Sequence, residues 1–190
     1  MAILDNPQED INTSTISFMP TAQKWGLYLS ATSIIFTILI SLIGFKFDKM
    51  TSFMVFGLVM GLSAMAMFIF FGNRAISEHR ANLGGFIDFK QAFLVCFVAF
   101  LISIVISTPF NFIYNNYINP SFMESMKESM TALFDENNVP EASRADAMKG
   151  MEDAKTIAGT LKSVVTSSIF AAVMAAIIAA IMKKARPMFA

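Results

Sequence analysis

Few residues in this chain have the chemistry for catalysis or metal binding. The one histidine lies between a carboxylate and a guanidinium, in Glu78-His79-Arg80. An imidazole beside a carboxylate suits proton transfer. Here it has no second histidine, no cysteine partner and no nucleophile at a useful spacing, so the triplet does not read as a catalytic centre. The one cysteine, Cys96, sits inside an apolar run. It has no partner for an intrachain disulfide and no metal-ligand spacing, and it reads as a small packing residue. Met123, Met126, Met130, Met148 and Met151 lie close together. Thioethers bind Cu(I), but their helical spacing reads instead as a deformable packing face. Ser-x-x-Lys, HExxH and CxxC are all missing. The expectation is a non-enzymatic protein with no catalytic residues, no metal and no cofactor.

The weaker polar groups are more informative, because they recur inside apolar runs. Ser30, Ser33, Thr37 and Ser41 draw a stripe down one face of a helix. Ser103, Ser107 and Asn111 lie four apart beside Pro109. Proline removes one backbone donor and kinks a helix, and nearby hydroxyls can resatisfy the freed carbonyl. Such groups usually bond to their own helix or to a neighbour, and the alternative is a hydrophilic path.

The elements that carry these groups follow from charge. The chain has 190 residues, 14 of them basic and 14 acidic, and every one of those charges lies outside four apolar blocks. The blocks are 25–45, 52–72, 91–114 and 163–182. At ~1.5 Å per residue, about 20 residues cross the ~30 Å hydrocarbon core of a bilayer. Zero net charge and no basic stripe argue against nucleic acid. The first block is too long for a cleaved signal core and lacks a small-x-small exit, so it reads as a retained span. Without a transit peptide or lipidation motif, a bacterial inner membrane is the simplest location.

Residues 1–24 are polar and read as a loose tail, the alternative being a short interfacial segment with Phe18 and Met19 at the headgroups. Trp25 and Tyr28 are belt residues at the start of span one. Lys46 to Met50 make so short a link that spans one and two must be antiparallel. Gly57 and Gly61 form a GxxxG continued by Ala64, a face for close helix packing. A loop is expected from Asn73 to Lys90, broken at Gly84-Gly85, with Phe86 and Phe89 anchoring the interface and Asp88 capping span three.

Residues 120–162 form the sizeable extramembrane region. Pro120 marks a helix start, and Ser121 with Glu124 has the spacing of a capping box. Phe122, Met126, Met130 and Leu133/Phe134 make one apolar stripe. Residues 135–140 break the helix, and a second begins near Glu141. Its heptad-like seam (Ala147, Met151, Ala154, Ala158, Leu161, Val165) predicts a helix continuous with span four. In span four, Ser167, Ala171, Ala175 and Ala179 form one small-residue ridge. Ser168, Ala172, Ala176 and Ala180 form another, which predicts a place at the bundle's centre. Lys183, Lys184 and Arg186 end the helix, and Pro187 stops continuation.

The fold expected is all-α: a four-transmembrane-helix bundle over 25–190, with an extramembrane helical hairpin, 120–162, between spans three and four. The tail, middle loop and C-terminus share Lys24, Arg74, Arg80, Lys90, Lys183, Lys184 and Arg186. The 120–162 region holds five basic against eight acidic residues. Positive charge marks the cytoplasmic side, so both termini are expected there and the hairpin in the periplasm.

Two stretches carry a resemblance. Gly84-Gly85-Phe86-Ile87-Asp88-Phe89-Lys90-Gln91-Ala92-Phe93 resembles a "GGYISFGQAF" entry to the third span, though Lys90 stands where a small residue is expected. Tyr117-Ile118-Asn119-Pro120-Ser121-Phe122, with the Met- and Glu-rich segment after it, resembles a "Y-I-x-P-x-F" exit. Both are similar to domain-of-unknown-function family 4199, four-span membrane proteins of Bacteroidetes type. The resemblance runs from about Lys24 to Lys184 and implies topology, with no activity or catalytic residue to carry over. Two functions follow from the residues. One is an accessory or scaffold subunit, packed in membrane lipid against a protein partner or a second copy. The alternative is a small-solute transporter or channel working as an oligomer. Charged groups inside the spans, usual in coupled transporters, are missing.

Overall fold

The computed structural model describes residues 16–43 and 50–184. The link at Lys46–Lys49, Arg186, Pro187 and most of the N-terminal tail lie outside them. The elements are α1 (Met19–Ile43), α2 (Met50–Asn82), α3 (Phe89–Ile113), a π-helical turn (Tyr114–Ile118), α4 (Pro120–Glu136), α5 (Glu141–Ala154) and α6 (Ile157–Met182). Strands are not found among the described residues; one isolated antiparallel bridge joins Ile87 to Lys184. Four helices (α1, α2, α6, and α3 with its π-helical turn) are long and apolar enough to cross a membrane.

Three boundaries differ from the sequence reading. First, α1 begins at Met19, so the last residues of the expected tail are helical. Second, residues 73–82 are not loop. NRAISEHRAN contains no proline or glycine, and α2 runs through it to Asn82. The chain turns only at Gly84 and Gly85, whose φ of 78° and 92° suit a residue without Cβ. Gly85 N–H donates to the Arg80 carbonyl at 2.8 Å and closes the helix end. Asp88 then caps α3, accepting from Gln91 N–H at 2.7 Å, as expected.

Third, α5 and α6 are separate helices. Lys155 and Thr156 break the seam, and Thr156 Oγ1 caps α6 by accepting from Gly159 N–H at 2.9 Å. A Cβ on Gly159 would collide with the Asp153 carbonyl. Glycine at this position therefore permits the break. At α4, Pro120 starts the helix as expected, but the capping box does not form: Ser121 Oγ donates to Asn119 Oδ1 at 2.9 Å.

In α4, Met130 and Leu133 are buried while Phe122 and Met126 are half-buried, so the apolar stripe lies on the covered side. Asn138, with φ of 49°, turns the chain after α4. Arg144 binds the Phe134 and Val139 carbonyls, each at 2.7 Å, and pairs with Asp135. Lys127 on α4 pairs with Glu152 on α5 at 2.9 Å. Its hydrogen bond holds the Glu152 carboxyl below the usual carboxylate range.

Packing places α3 in the middle of the bundle, where the small-residue ridges had suggested α6. It packs chiefly on α1 and α6, and also on α2. Close approach is set by glycines outside the GxxxG. A Cβ on Gly26 would lie 2.7 Å from the Ala99 carbonyl oxygen, and one on Gly72 would lie 2.9 Å from Cys96 Sγ. A Cβ on Gly57 or Gly61 would meet nothing within 4 Å among the described residues.

Burial is concentrated at one end. It takes in Ala22, Gly26 and Leu29 of α1; Gly72, Ala75, Ile76 and His79 of α2; Ala92 to Ile104 of α3; and Ala171 to Ala179 of α6. The Ile87–Lys184 bridge, 3.0 and 2.9 Å, ties the α2–α3 turn to the end of α6 there. At the opposite end α1 and α3 stay joined: Tyr114 and Ser41 hydroxyls are 2.5 Å apart. Since Ser41 donates to the Ile38 carbonyl, Tyr114 is the donor of that bond. Helices α2 and α6 are loosely covered in this half: from Thr51 to Ala66 of α2, and from Ile157 to Phe170 of α6, no residue is buried. The bundle is tight at one end and splayed at the other.

Candidate functional site

The splayed half holds a half-open cavity of about 670 Å³. Its floor is aromatic. Phe68 of α2 packs edge-on against buried Phe100 (4.5 Å between centroids) and against Phe170 of α6 (5.9 Å). Above the floor the walls differ in chemistry. Helix α3 contributes Ser103, Ser107, Thr108 and Asn111, and the π-helical turn adds Asn115. Helix α6 contributes Thr160, Ser163, Thr166 and Ser167, and α1 contributes Ser33 and Thr37. Helix α2 offers only apolar side chains: Met60, Ala64, Met67 and Phe68. Ala154, Gly159 and Thr160, from the α5–α6 joint, line the end away from the floor. Among the described residues, none that lines it is charged.

Local structure explains this convergence. Ser107 Oγ donates to the Ser103 carbonyl at 2.8 Å, satisfying itself within α3. Asn111 follows one turn later, beyond Pro109, and its Oδ1 is buried without a hydrogen-bond partner among the described residues. The π-helical turn comes next, where Asn116 Nδ2 donates to the Phe112 carbonyl at 2.9 Å. A wide turn of this kind re-aims side chains and is frequent beside functional sites. A cavity of this size with convergent hydrogen-bonding groups has the character of a ligand site.

The sequence-predicted residues distribute as follows. The stripes of spans one and three converge, with Ser33, Thr37, Ser103, Ser107 and Asn111 on one cavity. Ser30 and Ser41 instead bond back to α1, to the Leu27 and Ile38 carbonyls. The ridge of span four divides: Ala171, Ala175 and Ala179 are fully buried in the packed half, while Ser167 lines the cavity. Phe122, Met126 and Met130 lie on α4, away from the cavity lining. Gly84, Gly85, Phe86, Asp88 and Phe89 lie at the tight end, where the Lys184 ammonium sits 5.5 Å over the Phe86 ring. Sequence reasoning missed Thr160, Ser163 and Thr166, which sit a turn apart in α6 and could have been found as a third hydroxyl stripe.

His79 is buried in α2 at the tight end, with Nδ1 unpartnered among the described residues, and not in a loop. Its neighbour Glu78 does the pairing there. Glu78 accepts from Lys24 Nζ at 2.8 Å and from Trp25 Nε1 at 3.0 Å, joining α1 to α2.

Four apolar helices of membrane-crossing length around an uncharged cavity define a helical, multi-pass membrane protein. A family model described as "Protein of unknown function (DUF4199)" matches residues 24–184, and the chain belongs to that family. No curated protein and no solved structure matches it.

Proposed function

We propose that this chain is a non-enzymatic protein of the bacterial inner membrane that binds an uncharged, hydrogen-bonding molecule between its four spans. The observation that carries the reading is the convergence of hydroxyl and amide side chains from α1, α3 and α6 on one uncharged cavity. Groups that only packed helices together would leave no such space. In this reading α4 and α5 form a hairpin beyond the bilayer on the periplasmic side, and both termini are cytoplasmic. The basic residues of the tight end, Arg74, Arg80, Lys90, Lys183 and Lys184, support that orientation. Translocation of the bound molecule would follow if copies assemble into an oligomer.

The test is access. In the chain as it stands, Cys96 is fully buried and gives little background. Ser107→Cys should react with N-ethylmaleimide in native membranes at least about tenfold faster than Cys96, because only an accessible thiol ionises readily. Equal inertness of the two thiols would show a closed bundle and defeat the proposal.

A second reading, an accessory subunit, is favoured by one observation. Gly57 and Gly61 face open space, with nothing within 4 Å. A partner helix or a second copy would fit that face.

A further inference from the structure

We propose that the cavity's ligand is a neutral lipid with a hydroxyl-bearing head, such as a diacylglycerol, admitted sideways from the bilayer past α2. This deepens the ligand-binding reading above and rests on it. Three observations point the same way.

The first is the division of the lining. Hydroxyls and amides come from α1, α3 and α6, whereas the α2 wall is entirely apolar. A water-soluble polyol would gain nothing from that wall, while an amphipathic molecule fits both: head against Ser107 and Asn111, chain along Met60, Ala64 and Phe68.

The second is which wall is loose. None of the residues in the most apolar stretch of α2 is buried, against 22%, 33% and 28% for those of α1, α3 and α6. Between Thr51 and Phe68, only Phe53, Phe56, Met60, Ser63, Met67 and Phe68 are half-covered. The aromatic floor closes one end and the α5–α6 joint lines the other. Helix α2 is thus the least covered wall of the chamber, the one a lipid chain would pass in a bilayer.

The third is charge. A phosphate head would enter a chamber that is lined, among the described residues, by no cation, and burying an unpaired charge is prohibitive. The unpaired Asn111 Oδ1 calls for a donor. Asn111 lines the chamber, and its amide has both a donor and an acceptor to offer a lipid hydroxyl there.

The experiment uses the full chain in phosphatidylcholine vesicles. A diacylglycerol carrying a photoreactive diazirine in one acyl chain is compared with a phosphatidylcholine carrying the same chain. The diacylglycerol should crosslink several-fold more, on peptides spanning residues 60–68 or containing Phe170. Unlabelled dioleoylglycerol should suppress the labelling, and free glycerol should not. Asn111→Leu and, separately, Ser167→Ala should lower it, Asn111→Leu by roughly five- to tenfold for one lost hydrogen bond. Monodisperse elution shows that each variant is folded, and Ser167→Ala keeps the test open if Asn111→Leu is not.

Equal labelling by both probes would mean bulk lipid only and would overturn the inference. So would suppression by glycerol, which points to a soluble polyol, or indifference to both variants. If Ser107→Cys still reacts while the probes label equally, this inference fails and the ligand-binding reading stands. If Ser107→Cys is inert, both fall.

Discussion

Gly26 and Gly57 are the same residue type on neighbouring helices, with opposite surroundings. A methyl group on Gly26 would press on the Ala99 carbonyl at 2.7 Å and on Ile102 Cβ at 2.9 Å. Overpacking of this kind costs about 1–3 kcal/mol. Gly26→Ala should therefore lower stability by that order in mixed-micelle denaturation. Gly57→Ala has open space and replaces a poor helix former, so it should be neutral or gain about 0.5 kcal/mol. If Gly57→Ala instead lowers the oligomeric mass in mild detergent, that face is an interface. Asn111 poses the reverse case. It carries a buried acceptor with no partner among the described residues, so Asn111→Leu should stabilise the ligand-free protein by about 1 kcal/mol, read as a rise in thermal midpoint. Destabilisation would show that the amide is already satisfied.

Among the elements, the α5–α6 joint decides how the cavity is closed. Apolar periodicity reads straight through it, from Ala147 to Val165, because periodicity registers faces and not the continuity of a backbone. What stops the helix is a hydroxyl cap and a missing Cβ. Thr156→Ala should cost about 1 kcal/mol through loss of the cap. Gly159→Ala should cost more, since the Asp153 carbonyl must move to admit a methyl group. Hydrogen exchange at residues 150–160 would report both, with faster exchange than in the unaltered chain. Unchanged protection in both variants would mean that the joint is held by other contacts. The end of α2 teaches a related lesson. Charge in NRAISEHRAN marks where apolar sequence stops, and the hydrogen-bonded helix continues past it to the glycine pair.

For the whole molecule, tightness at one end and splay at the other make an inverted cone around an uncharged space. Small residues and glycines close the tight end: Ala22, Gly26, Gly72, Ala92, Ala171 and Ala175 are all buried. Larger side chains and hydroxyls occupy the splayed end. The membrane orientation proposed for this cone places Lys183 and Lys184 in the cytoplasm. A cysteine at Lys184 should then resist an impermeant maleimide in intact cells, whereas one at Lys149 of α5 should react. The opposite pattern would invert the protein and put the cavity in the cytoplasmic leaflet.

The all-helical class, the four candidate spans, the Asp88 cap and the helix start at Pro120 were legible from the chain alone. Lipid offers no hydrogen bonds, so an uncharged run of that length must be a helix, and caps act within one turn. The stripes of Ser33, Thr37, Ser103, Ser107 and Asn111 were visible too, but each could have bonded to its own helix. Whether they meet is a question of helix rotation and tilt. Those depend on close packing at Gly26, against the Ala99 carbonyl, and at Gly72, against the side chains of Cys96, Phe100 and Ile178, residues far apart in the chain. The cavity, the central place of α3 and the split fate of the span-four ridge were therefore decided only in three dimensions, where packing at one end obliges the helices to separate at the other.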